Sequence, residues 1–142
     1  MSIMTERDRA AVRKEFEKLT GPVKLVVFSQ ELIAGDLCRQ NEALVREVAE
    51  VSDKITVEVL NPAIDRERVG AYGVEQVPAI ALEGARDYGI RFYGIPTGYE
   101  FGNLIDSIVV TSTGQPELAE ETLATLRTLV ADVDIKVFST PT

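Results

Sequence analysis

The stretch FSQELIAGDLCRQ, residues 28 to 40, holds the one cysteine of this 142-residue chain, where an apolar run gives way to a helical pattern. Unpaired N–H groups and the partial positive charge of a helix N-terminus favour a thiolate there. Redox sites use that position, usually as C-x-x-C, but here Gly35 stands three residues before Cys38. With Asp36 as N-cap, Cys38 falls in the first helical turn. Against reactivity stand Glu31 and Asp36, opposed only by Arg39, and an apolar stripe close to Cys38 that would keep the thiol neutral. A reactive thiol and an inert core cysteine both fit this stretch.

A second stretch with chemical potential is AYGVEQVPAIAL, residues 71 to 82. A cis Val77–Pro78 bond at the head of a strand would turn the Val77 backbone toward an extended peptide, which could add to it by strand-like hydrogen bonds. The alternative is a trans proline opening an edge strand. GIRFYGIPTGYEF follows, and its Gly94 reads either as a close-approach glycine beside that groove or as turn chemistry alone.

Composition removes much else. The chain has no histidine, so neither a Ser-His-Asp triad nor a His-containing zinc site is possible. A single cysteine excludes a disulfide within the chain. Fifteen basic against 23 acidic residues give a net charge of -8, with no basic stripe for nucleic acid. No apolar run approaches the roughly 20 residues that span a bilayer, and MSIMTERDRA lacks the apolar core of a signal peptide. The expected setting is cytoplasmic, with no membrane, no metal and no cofactor.

Periodicity supplies the elements that must position these residues. A helix runs over 5 to 19, with Val12, Phe16 and Leu19 on one side and an imperfect capping box at Thr5 and Asp8. VKLVVF reads as a strand covered on both faces. The helix from Asp36 carries a stripe of Leu37, Leu44, Val48 and Val51, and ITVEVL alternates as a strand. After a short helix come VPAIAL and a strand centred on Ile90 to Tyr93, as a hairpin. Phe101, Leu104, Ile105 and Ile108 mark the next helix. A last helix has Pro116 at its first position and Ala119, Leu123, Leu126 and Val130 as its stripe, and a strand IKVFS ends the order.

The order α-β-α-β-α-β-β-α-α-β contains the thioredoxin layout: α/β, a mixed four-stranded sheet flanked by helices on both faces. IKVFS also echoes KLVVFS at a spacing of about 110 residues, either as an internal repeat or as chance likeness of two short strands.

On GPVKLVVF, LVREVAEVSDKITVEV, YGVEQVPA and above all YGIRFYGIPTGYEF, nearly the whole chain resembles the N-terminal unit of the protein disulfide oxidoreductases of thermophilic bacteria and archaea. These are tandem glutaredoxin-like units with an exposed nucleophilic and a partly buried resolving cysteine in each C-x-x-C. The resemblance implies a thioredoxin-like domain over 1–115, with an extra N-terminal helix. It implies that 116–142 is a connecting helix and the first strand of a truncated second unit. It places Cys38 on the resolving position and Gly35 on the nucleophile, although the loop SQELIAGD is about one residue longer than the family pattern and leaves Ala34 as an alternative register. Val77 and Pro78 match the peptide-binding cis-proline position.

The implied function is a redox-degenerate domain that supports or presents peptide during thiol–disulfide exchange and cell redox homeostasis. Its expected partners are the second glutaredoxin-like unit and disulfide-bearing proteins. The alternatives are a monothiol oxidoreductase using Cys38 with glutathione, and a structural domain that self-associates as a homodimer through IKVFS.

Overall fold

In the computed structural model, residues 2–140 are described; Pro141 and Thr142, the end of the expected second-unit segment, lie outside them. Apolar residues at nearly every position of VKLVVF form β1 (Val23–Phe28), which is buried on both faces between two neighbours. β2 (Ile55–Leu60) lies parallel to it, with Val23 opposite Ile55 and Phe28 opposite Leu60. β3 (Ala79–Glu83) is antiparallel to β1, Phe28 facing Ala79. β4 (Asp87–Tyr93) closes a hairpin onto β3, giving the order β2-β1-β3-β4.

The helices are α1 (Glu6–Phe16), α2 (Glu31–Ala49), α3 (Arg66–Ala71), α4 (Tyr99–Thr113) and α5 (Glu120–Leu126). Thr5 and Asp8 form a reciprocal capping box, Asp8 N donating to Thr5 Oγ1 at 3.2 Å and Thr5 N to Asp8 Oδ2 at 2.9 Å. α1, α2 and α4 cover one face of the sheet, where Phe16, Leu44, Val48, Leu104 and Ile108 pack on Leu25, Val27, Ile80 and Leu82. Each such side chain, buried, contributes about 1.5–3 kcal/mol. On the other face the short α3 covers a smaller cluster around Phe28, Leu60 and Val69, with the Tyr72 ring edge-on to Phe28 at 5.6 Å.

The rest of that second face stays wet and is lined with charge. Lys24 sits between Glu58 at 3.4 Å and Glu83 at 3.6 Å, and Arg68 bonds Glu58. The bond from Arg68 holds the Glu58 carboxyl below its usual range. Burial, reinforced by the hydroxyl's bond to Glu83, pushes the Tyr72 phenol up.

Four expectations are corrected. α2 begins at Glu31, not Asp36, and is broken at Ala34 (φ -143°, ψ 46°), so Asp36 is an interior residue rather than the N-cap. Leu37 is half exposed, and the buried stripe is Cys38, Asn41, Leu44, Val45 and Val48. Helical phase says which way a side chain points; it does not supply a layer for it to pack on. Pro116 lies ahead of α5, whose N-cap is Ala119 and whose stripe is not buried. IKVFS pairs with no strand among the described residues, and Ile135, Val137 and Phe138 are exposed. Alternation makes a strand only where a neighbour offers a ladder.

Among the described residues no helix is long and apolar enough to cross a membrane.

Candidate functional site at the head of α2

The register fixes one end of the sheet as the place where chemistry-bearing residues meet. Phe28 and Leu60 end β1 and β2 there, Ala79 begins β3, and Tyr93 ends β4. The chain leaves Phe28 through Ser29, whose N–H donates to Leu60 O at 3.0 Å. Gln30 then caps a first helical turn, its carbonyl accepting from Ile33 N and Ala34 N. The break at Ala34 leaves Gly35 at the start of the main helix, three residues before Cys38.

Cys38 is fully buried. Its sulfur accepts the Gln30 N–H at 3.4 Å. Gly35 is half-buried, and a Cβ added to it would meet only the guanidinium of Arg39, at 3.3 Å. Arg39 itself pairs with the exposed Asp36. Space for a thiol at position 35 therefore exists beside a side chain that can move.

The Val77–Pro78 bond is cis. Pro78 is buried, and its carbonyl accepts from Gly94 N at 2.9 Å. Gly94 takes φ +85°, a left-handed conformation that disfavours a side chain. A Cβ on Gly94 would meet nothing within 4 Å, so of its two readings turn chemistry is the one seen: the backbone conformation, not a close approach, calls for glycine. Val77 is half-buried, and among the described residues its N–H and C=O have no hydrogen-bond partner. Both groups are thus available to an added strand.

Sequence reasoning missed several residues here. Leu32 (94% exposed) and Ile33 (73%) stand on the short turn before the break, and Ile64 and Tyr99 are also exposed. Asn41 is buried with neither side-chain oxygen nor nitrogen bonded. The signal for Asn41 was its spacing: it lies three residues after Cys38 and four before Val45. Among the described residues no group of three or more acidic, cysteine or histidine side chains is placed to hold a metal.

No family model matches the chain. Over 57 residues it is 40% identical to a probable thioredoxin of Methanothermobacter thermautotrophicus, a match covering 40% of this chain and 62% of that protein. Among solved structures, the NTD_N/C domain of alkylhydroperoxide reductase AhpF from Enterococcus faecalis superposes with a TM-score of 0.78 at 25% identity, over 87% of this chain and 59% of that one. A protein disulfide oxidoreductase from Aeropyrum pernix gives 0.75 at 24% identity, over 88% of this chain and 55% of that one.

This is a thioredoxin-like unit. It spans about three fifths of the length of these relatives. The mixed four-stranded sheet and flanking helices expected from the sequence are those of the unit. Its one cysteine lies inside the helix head rather than on its surface.

Proposed function

We propose that this thioredoxin-like unit is a redox-degenerate part of a disulfide oxidoreductase, which supports an active dithiol unit or presents extended peptide to it. The observation that carries the reading is a pairing at one end of the sheet. Val77 offers an unengaged backbone beside cis-Pro78, while the position three before the buried Cys38 is a glycine. A peptide can be held there, but no thiolate is placed to attack its disulfide. The attacking sulfur then belongs to a partner, a second glutaredoxin-like unit carrying the C-x-x-C.

The relatives support the same reading, since one is named a thioredoxin and another a protein disulfide oxidoreductase. Nothing favours the monothiol alternative, which needs Cys38 within reach of glutathione.

The test is insulin reduction driven by dithiothreitol. The wild-type chain is expected to stay at background, and turnover clearly above it would overturn the reading. Gly35→Cys is expected to form a 35–38 disulfide, visible as a loss of two hydrogens by intact mass, and to gain some reductase activity. If only Ala34→Cys does so, the register is one residue out.

A further inference from the structure

On the helical side of the sheet three depressions adjoin along the seam between α1 and α4. The first, about 290 Å³, lies beneath Ile3 and Met4 and reaches Leu44 and Phe101. The second, about 260 Å³, shares Asp8 and Phe101 with the first and is lined by Ala11, Gly102 and Ile105. The third, about 220 Å³, shares Glu15 and Asp106 with the second and ends at Val109 and Val110. Shared residues make them one groove. α1, with 11 residues, is about 16 Å long at 1.5 Å per residue, the length of three helical turns.

Gly102 is the unexplained residue of this groove. It sits inside α4, where glycine costs about 1 kcal/mol relative to alanine. A Cβ built on it meets nothing within 4 Å. No contact within the chain requires a glycine there, whereas close approach of another backbone does. Ala11, also small and exposed, lines the same depression.

The rim has one sign. Asp8, Glu15, Asp106 and Glu117 line the groove, and the single cation among its described residues, Lys18, is paired with Glu15. We propose that the groove between α1 and α4 docks an amphipathic helix of about three turns from a partner protein, with an apolar stripe and basic flanks. A second copy of this chain is a poor occupant. Its own exposed apolar helix, α5, begins among Glu117, Glu120 and Glu121, which would face the rim acids.

The probes are two synthetic helical peptides of about 12 residues with the same leucine stripe at three- and four-residue spacing, one flanked by lysine and the other by glutamate. Binding to the full chain is read by fluorescence anisotropy, and its location by amide chemical shifts. The lysine peptide is expected to bind, to weaken as ionic strength rises from about 0.05 to 0.3 M, and to shift the amides of Ala11, Gly102 and Ile105.

Gly102→Leu fills the open space, so it is expected to cut affinity at least about tenfold with an unchanged circular dichroism spectrum. Ala11→Met blocks the same depression from α1 and serves if Gly102→Leu does not fold. Asp106→Asn is expected to weaken the lysine peptide and not the glutamate one. The proposal is overturned if the lysine peptide does not bind, binds no better than the glutamate peptide, or is indifferent to both filling variants. It is also overturned if the chain dimerises through this groove, with Gly102→Leu giving monomer.

Discussion

The Gln30 main-chain N–H donates to the Cys38 sulfur across 3.4 Å, so the residue that opens α2 also covers the thiol eight positions later. A donor that would otherwise solvate a surface thiolate here belongs to the protein's own backbone, and the sulfur has no exposed surface. Access to it requires the first turn of α2 to open.

Alkylation of Cys38 by iodoacetamide is therefore expected to be at least about a hundredfold slower in the native chain than in denaturant, since an opening that costs about 3 kcal/mol exposes the thiol less than 1% of the time. Oxidised glutathione should add no mass to the native protein. A native rate close to the denatured one would place the thiol at the surface and return the monothiol enzyme to consideration.

Glu47 clamps the N-terminal segment to α2. Its carboxylate accepts from Ile3 N at 2.6 Å, Met4 N at 3.0 Å, the Ser2 hydroxyl at 2.9 Å and Arg9 at 3.0 Å. Burial pushes the Glu47 carboxyl up, but the Met4 and Ile3 N–H groups, Ser2 and Arg9 outweigh it and hold the group below its usual range. A lowered folded pKa gives stability that is complete above the usual carboxylate range and lost as pH falls through the folded value. Glu47→Gln should thus cost about 1–3 kcal/mol near neutral pH. Urea unfolding at falling pH should show the gap between the two proteins close.

Two glycines should respond to alanine with opposite signs. A Cβ on Gly84 would come within 2.4 Å of the Thr111 carbonyl oxygen, at the contact between the β3–β4 turn and the end of α4. Gly84→Ala is expected to destabilise by about 1–3 kcal/mol through overpacking. Gly102→Ala, with open space beside it, should stabilise by about 0.5–1 kcal/mol. Denaturant midpoints at constant m decide both, and equal signs would refute the geometry.

The segment after α4 should be dispensable for folding. Gly114, at φ +67°, caps α4 in the left-handed conformation, and among the described residues none after it is buried. Removing everything beyond Gly114 is expected to change stability by less than about 0.5 kcal/mol. A larger loss, measured by thermal unfolding, would show that α5 and the residues after it complete the core.

Where the sequence was read well, one local pattern decided the outcome. VKLVVF has apolar residues on both faces, and only a central strand uses both. YGVEQVPA combined an X-Pro bond with a strand start, and Pro78 is cis. The failures came where the outcome depends on distant neighbours. Leu37 and Leu123 carry helical spacing as good as that of Leu44, but neither has a layer of protein above it. Asn41 was passed over because it is polar, although its position on the helix matched that of the buried residues around it. The break at Ala34 has no signature in alanine, which is a good helix former.

From Ser29 to Leu37 no residue is buried, although this stretch forms the head of α2. The core that specifies the sheet begins again only at Cys38. Substitutions at the exposed positions of this stretch, Glu31, Leu32, Ile33, Asp36 and Leu37, thus weigh little on folding stability. A lineage can rewrite those exposed positions, with or without a thiol among them, while the fold is kept. At this site chemistry and foldedness rest on different residues, so one can change without the other.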